Sequence, residues 1–156
     1  MTTLDLFDLR LLAALQEDGR LTNAELAERT LLSPSQCARR VQRLRETGFI
    51  ERFVAVLDAQ KLGIGVRAYV SVVMRSHGEA ETRAFRDRLL RLPEVQECCK
   101  LTGDSDYLLK IATRDLADYN RILTEYLLKS PDIATVRSGI MLEEVKSTTA
   151  LPLPGA

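Results

Sequence analysis

The sequence predicts an α+β protein in two parts: a small helical domain ending in a strand, then a sandwich of the order βαββαβ. Three observations carry this reading. Amphipathic stretches with capping signals fill residues 4–48. A break in periodicity, Leu62-Gly63-Ile64-Gly65, follows them. Beyond it, period-two and helical apolar patterns alternate as far as residue 142. The chain has 156 residues, 46% of them hydrophobic, which is enough for two small cores. The expected division is residues 1–58, a linker at 59–65, a second domain at 66–148 and a flexible tail at 149–156.

The first helix is read from Leu4 to Glu17, with Leu4, Phe7, Leu11, Ala14 and Leu15 along one stripe and Leu9 and Leu12 widening it. Asp5 and Asp8 in its first turns favour the helix dipole. Asp18-Gly19 stops it. A second helix spans roughly Asn23 to Arg29, and Thr22 with Glu25 makes a capping box. After Thr30-Leu31-Leu32 the third helix opens at Ser33, its N-cap, with Pro34 at the first helical position and Gln36 completing another box. Gly48 suits the left-handed residue that closes it.

Cys37, Val41 and Leu44 make the apolar stripe of this third helix. Ser35, Gln36, Arg39, Gln42 and Arg43 are expected on its opposite face, with Arg40 and Arg45 on the flanks. From Pro34 to Thr47 there are four arginines and one glutamate, a local charge of +3 in a chain of net charge zero. Any nucleic-acid binding must therefore come from a local patch rather than a global field. Arginine and glutamine pair bidentately with guanine and adenine edges, and serine bonds base or phosphate. Taken singly, such a helix is more commonly a solvated basic face. Context favours binding: two short helices joined by a tight turn, the second basic, form a helix-turn-helix. Phe49 to Leu57 reads as a strand, which makes it the winged variety. The expected DNA-binding residues are Ser33, Ser35, Gln36, Arg39, Arg40, Gln42, Arg43 and Arg45.

In the second domain Val66, Ala68, Val70, Val72 and Met74 alternate with polar neighbours and mark a strand. Glu79 to Arg91 is helical, with Phe85, Leu89 and Leu92 on one side. Val95 to Thr102 and Tyr107 to Thr113 are strands about a Gly103-Asp104-Ser105 turn. Asp115 caps a helix to Lys129, and Ile133 to Leu142 is the last strand. The order is that of a ferredoxin-like, split-βαβ sandwich. Two helices cover one sheet face. The other is bare, and Val70 and Val72 are its candidate apolar residues, so a dimer is expected.

Other chemistry is sparse. Cys37, Cys98 and Cys99 make an odd count without a C-x-x-C pair, which argues against a disulfide framework or zinc site. Cys37 is read as a core residue, and Cys98 and Cys99, if in a strand, point to opposite faces. His77, the only histidine, is read as a loop residue. No catalytic set, metal cluster or P-loop is found, so no cofactor and no enzyme activity is expected. The sequence carries neither a signal peptide nor a membrane-spanning run, and the expected compartment is the reducing cytoplasm.

Three stretches in order resemble the Lrp/AsnC family of bacterial regulators: Leu4-Asp5 to Leu15 with Asp18-Gly19-Arg20; Leu32-Ser33-Pro34 through Arg43-Leu44 to Gly48-Phe49-Ile50; and Val95 to Cys98 with Thr102 to Lys110. Met141 to Lys146 resembles the leucine-responsive branch. Arg45 departs from the pattern, since members often carry a glutamate there. The resemblance covers nearly the whole chain. It implies a transcriptional regulator that binds double-stranded DNA, dimerises through its C-terminal sheets, often assembles into octamers, and binds a small amino acid between dimers. A leucine-type effector is the first expectation. Leu101, Thr102, Gly103, Asp104, Asp106 and Tyr107 are the expected effector-binding residues. Asp104 and Asp106 can accept from an ammonium, and backbone N–H groups near Gly103 can bind a carboxylate. The residues alone leave a plain hairpin turn open. An architectural DNA-binding protein without a ligand, and an enzyme or enzyme subunit, are the alternatives.

Overall fold

The structure, a computed structural model, describes residues 3–154. The chain divides into two units: Met1–Val56 with Lys146–Ala156, and Leu57–Val145.

The first unit holds α1 (Leu6–Glu17), α2 (Asn23–Thr30) and α3 (Pro34–Glu46). Each begins with a reciprocal capping box, led by Asp5, Thr22 and Ser33. The Asp5–Asp8 box starts α1 two residues later than the apolar pattern suggests. Between α2 and α3 lie Leu31, Leu32 and Ser33, and Leu31 takes the left-handed conformation at φ 59°. Gly48 adopts φ 79° after α3, as the closing glycine requires. Leu11, Ala14, Leu26 and Cys37 form the core, with Leu15, Val41 and others packed around them. Burial of Cys37 follows from its place on the apolar stripe of α3.

The strand expected at Phe49–Leu57 does not form: residues 51–58 have no regular secondary structure. A strand needs a hydrogen-bonding neighbour, and among the described residues none of the four strands pairs with this segment. Phe53, Val54, Val56 and Leu57 stand exposed along it. The tail is tied down at one point within this unit. The side-chain amide of Gln16 donates to the Leu151 carbonyl (3.1 Å), and the Leu151 N–H donates to Gln16 Oε1 (2.6 Å). The final two tail residues lie outside the described residues.

The second unit contains β1 (Val66–Met74), α4 (Glu79–Leu89), β2 (Val95–Lys100), β3 (Tyr107–Thr113), α5 (Leu116–Ile122) and β4 (Ile133–Ile140). The sheet is antiparallel in the order β2-β3-β1-β4, the ferredoxin-like arrangement. The long final helix expected to Lys129 is split: α5 ends at Ile122 and continues as a π-helical segment, Leu123–Leu128.

Val66, Ala68, Val70, Val72 and Met74 join Tyr107, Leu109 and Ile111 in a core closed by Phe85, Leu89, Tyr119, Ile122 and Leu127 from the helical side. Val70 and Val72 are fully buried there. They are therefore not on the uncovered face, as expected from sequence. Alternation identifies two faces of β1 but not which one the helices cover. The pairings Tyr69↔Lys110, Ser71↔Leu108, Ser71↔Arg137 and Val73↔Thr135 show that the opposite face is mixed in character. Lys110 bonds Glu97 across the strands at 3.4 Å.

Candidate nucleic-acid interface and ligand loop

The basic helix α3 is positioned by its own ends. Gln36 N–H donates to Ser33 Oγ (3.3 Å), and Ser33 N–H donates to Gln36 Oε1 (2.9 Å). Ser33 Oγ also lies 3.1 Å from Ser35 Oγ. Ser33 and Gln36, expected as DNA contacts, are thus committed to the cap. Arg39, Gln42 and Arg45 stand exposed beyond it. Gln42 donates to Glu46 Oε1 at 2.8 Å. Gln42 and Arg45 also border an open groove closed by Asn23, Ile50 and Glu51.

Arg40 and Arg43 do not stand free as expected. Arg40 Nη1 donates to Asp5 Oδ2 (2.7 Å) and Asp8 Oδ1 (2.8 Å), and Arg43 Nη2 donates to Asp8 Oδ2 (2.5 Å). Arg40 also lies over the Phe7 ring, 5.6 Å from its centroid. The Asp8 side chain is only 1% exposed. Helical spacing puts Arg39 and Arg43 on one side of an isolated helix. A buried carboxylate on α1, however, draws Arg43 around the flank, because an unpaired charge there is costly. The Asp8 N–H bond, then Arg40, hold the Asp5 carboxyl below its ordinary value, and the bonds to Asp5 and Asp8 raise Arg40. The Asp5-x-x-Asp8 spacing reads as a capping box as well as a dipole feature, but it does not name the arginines.

The loop between β2 and β3 is exposed from Leu101 to Asp104, and Gly103 takes φ 105°. That conformation favours glycine and turns the chain sharply. Asp104 makes no bond with another described residue. Asp106 is engaged from four directions. Its carbonyl accepts from Leu101 N–H (2.8 Å) and its N–H donates to the Val72 carbonyl (2.9 Å). Oδ2 accepts from Met74 N–H (2.7 Å), and Oδ1 lies 2.8 Å from His77 Nε2. The Met74 amide, then His77, hold the Asp106 carboxyl below the usual carboxylate range.

The expected effector set therefore divides. Leu101, Thr102, Gly103 and Asp104 form an open loop. Asp106 anchors that loop to β1, and Tyr107 packs into the core with its ring 4.9 Å from Phe85. His77, read from sequence as a bystander, is part of the anchor. A period-two register through Asp106-Tyr107-Leu108 would have placed Tyr107 in the core. No local signal pointed to His77. Cys98 and Cys99 pair with Leu109 and Leu108 and so face opposite ways, and burial pushes the Cys98 thiol up.

A capped basic helix-turn-helix and a separate sandwich with an exposed glycine-centred loop define a class: a DNA-binding regulator with its own ligand-binding domain. Residues 4–51 match the winged helix-turn-helix DNA-binding family, and residues 67–151 match the Lrp/AsnC ligand binding domain. The chain is 36% identical over 148 residues to the leucine-responsive regulatory proteins of Klebsiella pneumoniae and Escherichia coli K12, covering 95% of this chain and 90% of theirs. A transcriptional regulator of Neisseria meningitidis, solved as an L-Met complex, is 37% identical with a TM-score of 0.92, covering 96% of this chain and 97% of that one. An AsnC family transcriptional regulator from Agrobacterium tumefaciens is also 37% identical, with a TM-score of 0.89 and the same coverage. The chain belongs to the Lrp/AsnC family of DNA-binding transcriptional regulators.

Proposed function

We propose that this regulator binds a small neutral amino acid with an aliphatic side chain, leucine or methionine first, at the loop Leu101–Asp104. The observation that carries this is the loop itself: a positive-φ glycine beside an exposed carboxylate that no described residue occupies. Asp104 accepts from the ammonium, and backbone N–H groups around Gly103 receive the carboxylate. Asp106 holds the loop rather than the ligand. The L-Met bound by the Neisseria regulator, at 37% identity, supports an amino acid of this size.

The DNA-facing surface of α3 consists of Ser35, Arg39, Gln42 and Arg45. The uncovered sheet face, with Tyr69, Ser71, Val73 and Leu108, pairs with a second copy, and dimers assemble further, to an octamer. The working location is the cytoplasm, on the nucleoid. Among the described residues no helix is long and apolar enough to cross a membrane. The protein acts by binding rather than by catalysis.

Calorimetry with leucine, methionine, alanine and asparagine tests the ligand. Asp104→Asn keeps the shape but removes the charge. A charge-assisted bond is worth about 1.5–3 kcal/mol, so affinity falls at least about tenfold. Equal affinity in the variant refutes the role of Asp104, and no binding by any of the four at millimolar concentration favours the architectural reading.

A further inference from the structure

We infer that Asp8 is a positioning residue of the DNA-binding unit: it draws Arg40 and Arg43 onto α1 and leaves Arg39 and Arg45 as the cations of α3 that meet DNA. This rests on the DNA-facing surface proposed above and adds what controls its charge. Asp8 is fully buried, and each of its two carboxylate oxygens takes one guanidinium. Oδ2 also accepts from the Asp5 N–H at 3.1 Å. Asp5 adds a second carboxylate to Arg40.

Swinging Arg43 out to a phosphate strips one cation from a desolvated anion. Swinging out both leaves it bare, and a buried unpaired charge outweighs a bond made at a wet surface. The arginines therefore stay on α1. Arg43 Nε, buried without a partner among the described residues, reflects the same pull: the guanidinium is placed by Asp8 at the expense of its remaining donor.

The consequence is electrostatic. Pro34–Thr47 carries +3, and Asp5 and Asp8 offset two of those charges, so 3 − 2 leaves +1. Sequence-independent affinity grows with each phosphate neutralised, and so does its salt dependence. Restraining two arginines holds down indiscriminate binding and gives base-edge contacts more weight in choosing a site. The same two bonds fix α3 against α1, and so fix the aim of Arg39, Gln42 and Arg45.

The test is the salt dependence of the full-length protein on a fluorescent, mixed-sequence duplex, by anisotropy from about 50 to 200 mM salt. Asp8→Asn keeps the cap acceptor and frees Arg43, while Asp5 still holds Arg40. The expected slope of log affinity against log salt steepens by about 0.9, so affinity falls roughly three- to fourfold more than wild type across that range. Binding at the low-salt end becomes tighter. A merely structural role predicts the opposite, weaker binding with an unchanged or shallower slope, and that result in a folded variant overturns the proposal.

Arg43→Gln decides independently, including if Asp8→Asn does not fold. Its slope is expected to equal wild type, and flattening by about 0.9 shows a phosphate contact and overturns the proposal. Arg39→Gln and Arg45→Gln separate the two levels. If neither changes affinity or slope, the proposed DNA-facing surface is wrong, whereas the Asp8→Asn and Arg43→Gln slopes still report on the restraint.

Discussion

Replacing Asp106 by alanine removes the anchor of the ligand loop without touching the proposed ligand contacts. Met74 N–H, in a residue only 3% exposed, loses its 2.7 Å acceptor. A buried donor left unsatisfied costs about 1–3 kcal/mol, and hydrogen bonds to a charged group reach about 1.5–3 kcal/mol. The His77 bond adds at most about 1 kcal/mol because the imidazole side is largely exposed. The total for Asp106→Ala is about 2–4 kcal/mol on the second unit. For a unit of this size that lowers its melting temperature by roughly 8 °C or more. Asp106→Asn keeps an acceptor for Met74 and loses less.

The pH dependence has a definite sign. The folded carboxyl lies below its ordinary value. The unfolded chain therefore takes up the proton first as pH falls, so the stabilisation is complete at neutral pH. It erodes as pH drops below the unfolded value of about 3.9 and is gone below the folded one. The stability gap between wild type and Asp106→Ala in denaturant melts should narrow from neutral pH to about pH 3. Hydrogen exchange at the Met74 amide should speed up in the variant at neutral pH, and amino-acid affinity should fall although the proposed contacts lie at Leu101–Asp104. Unchanged Met74 protection, or a stability gap that persists undiminished in acid, refutes the anchoring argument.

Three further outcomes are expected. Tyr69→Asp, on the uncovered face, should shift light-scattering mass towards the monomer while the fold survives, whereas Val72→Asp should unfold the second unit, because burying an unpaired carboxylate costs more than about 3 kcal/mol; equal behaviour of the two contradicts the assigned faces. Ser33→Ala should destabilise the first unit by about 1 kcal/mol in a chemical melt, through loss of the α3 cap. Gly48→Ala meets no atom within 4 Å, so its expected cost of about 1 kcal/mol is the backbone strain at φ 79° alone. A neutral result in a thermal melt would place that residue outside the cooperative unit.

The sequence by itself determined the local grammar of this protein. The boxes at Thr22–Glu25 and Ser33–Gln36 and the closing Gly48 rest on interactions within a few residues, the buried Cys37 and the alternation of β1 follow from local periodicity, and the structure holds each of them. The order βαββαβ followed, because alternating periods allow few topologies. The helix-turn-helix was legible for the same reason, since its elements are consecutive and capped.

Only the tertiary structure decided the partners of the charges and the facing of the sheet. Asp8 meets Arg40 and Arg43 across 32 and 35 residues, and Asp106 meets Met74 and His77 across 32 and 29. Such pairs depend on how elements pack, and nothing in local spacing encodes which guanidinium a buried carboxylate selects. Helical spacing puts Arg43 on the outward face, but its half-exposed side chain bonds the buried Asp8 carboxylate. Period two gives β1 two faces without naming the covered one, and the structure puts Val70 and Val72 on the covered side. The extended run Phe49–Leu57 has strand character in its residues, yet a strand exists only where a second backbone supplies the hydrogen bonds, and among the described residues none does.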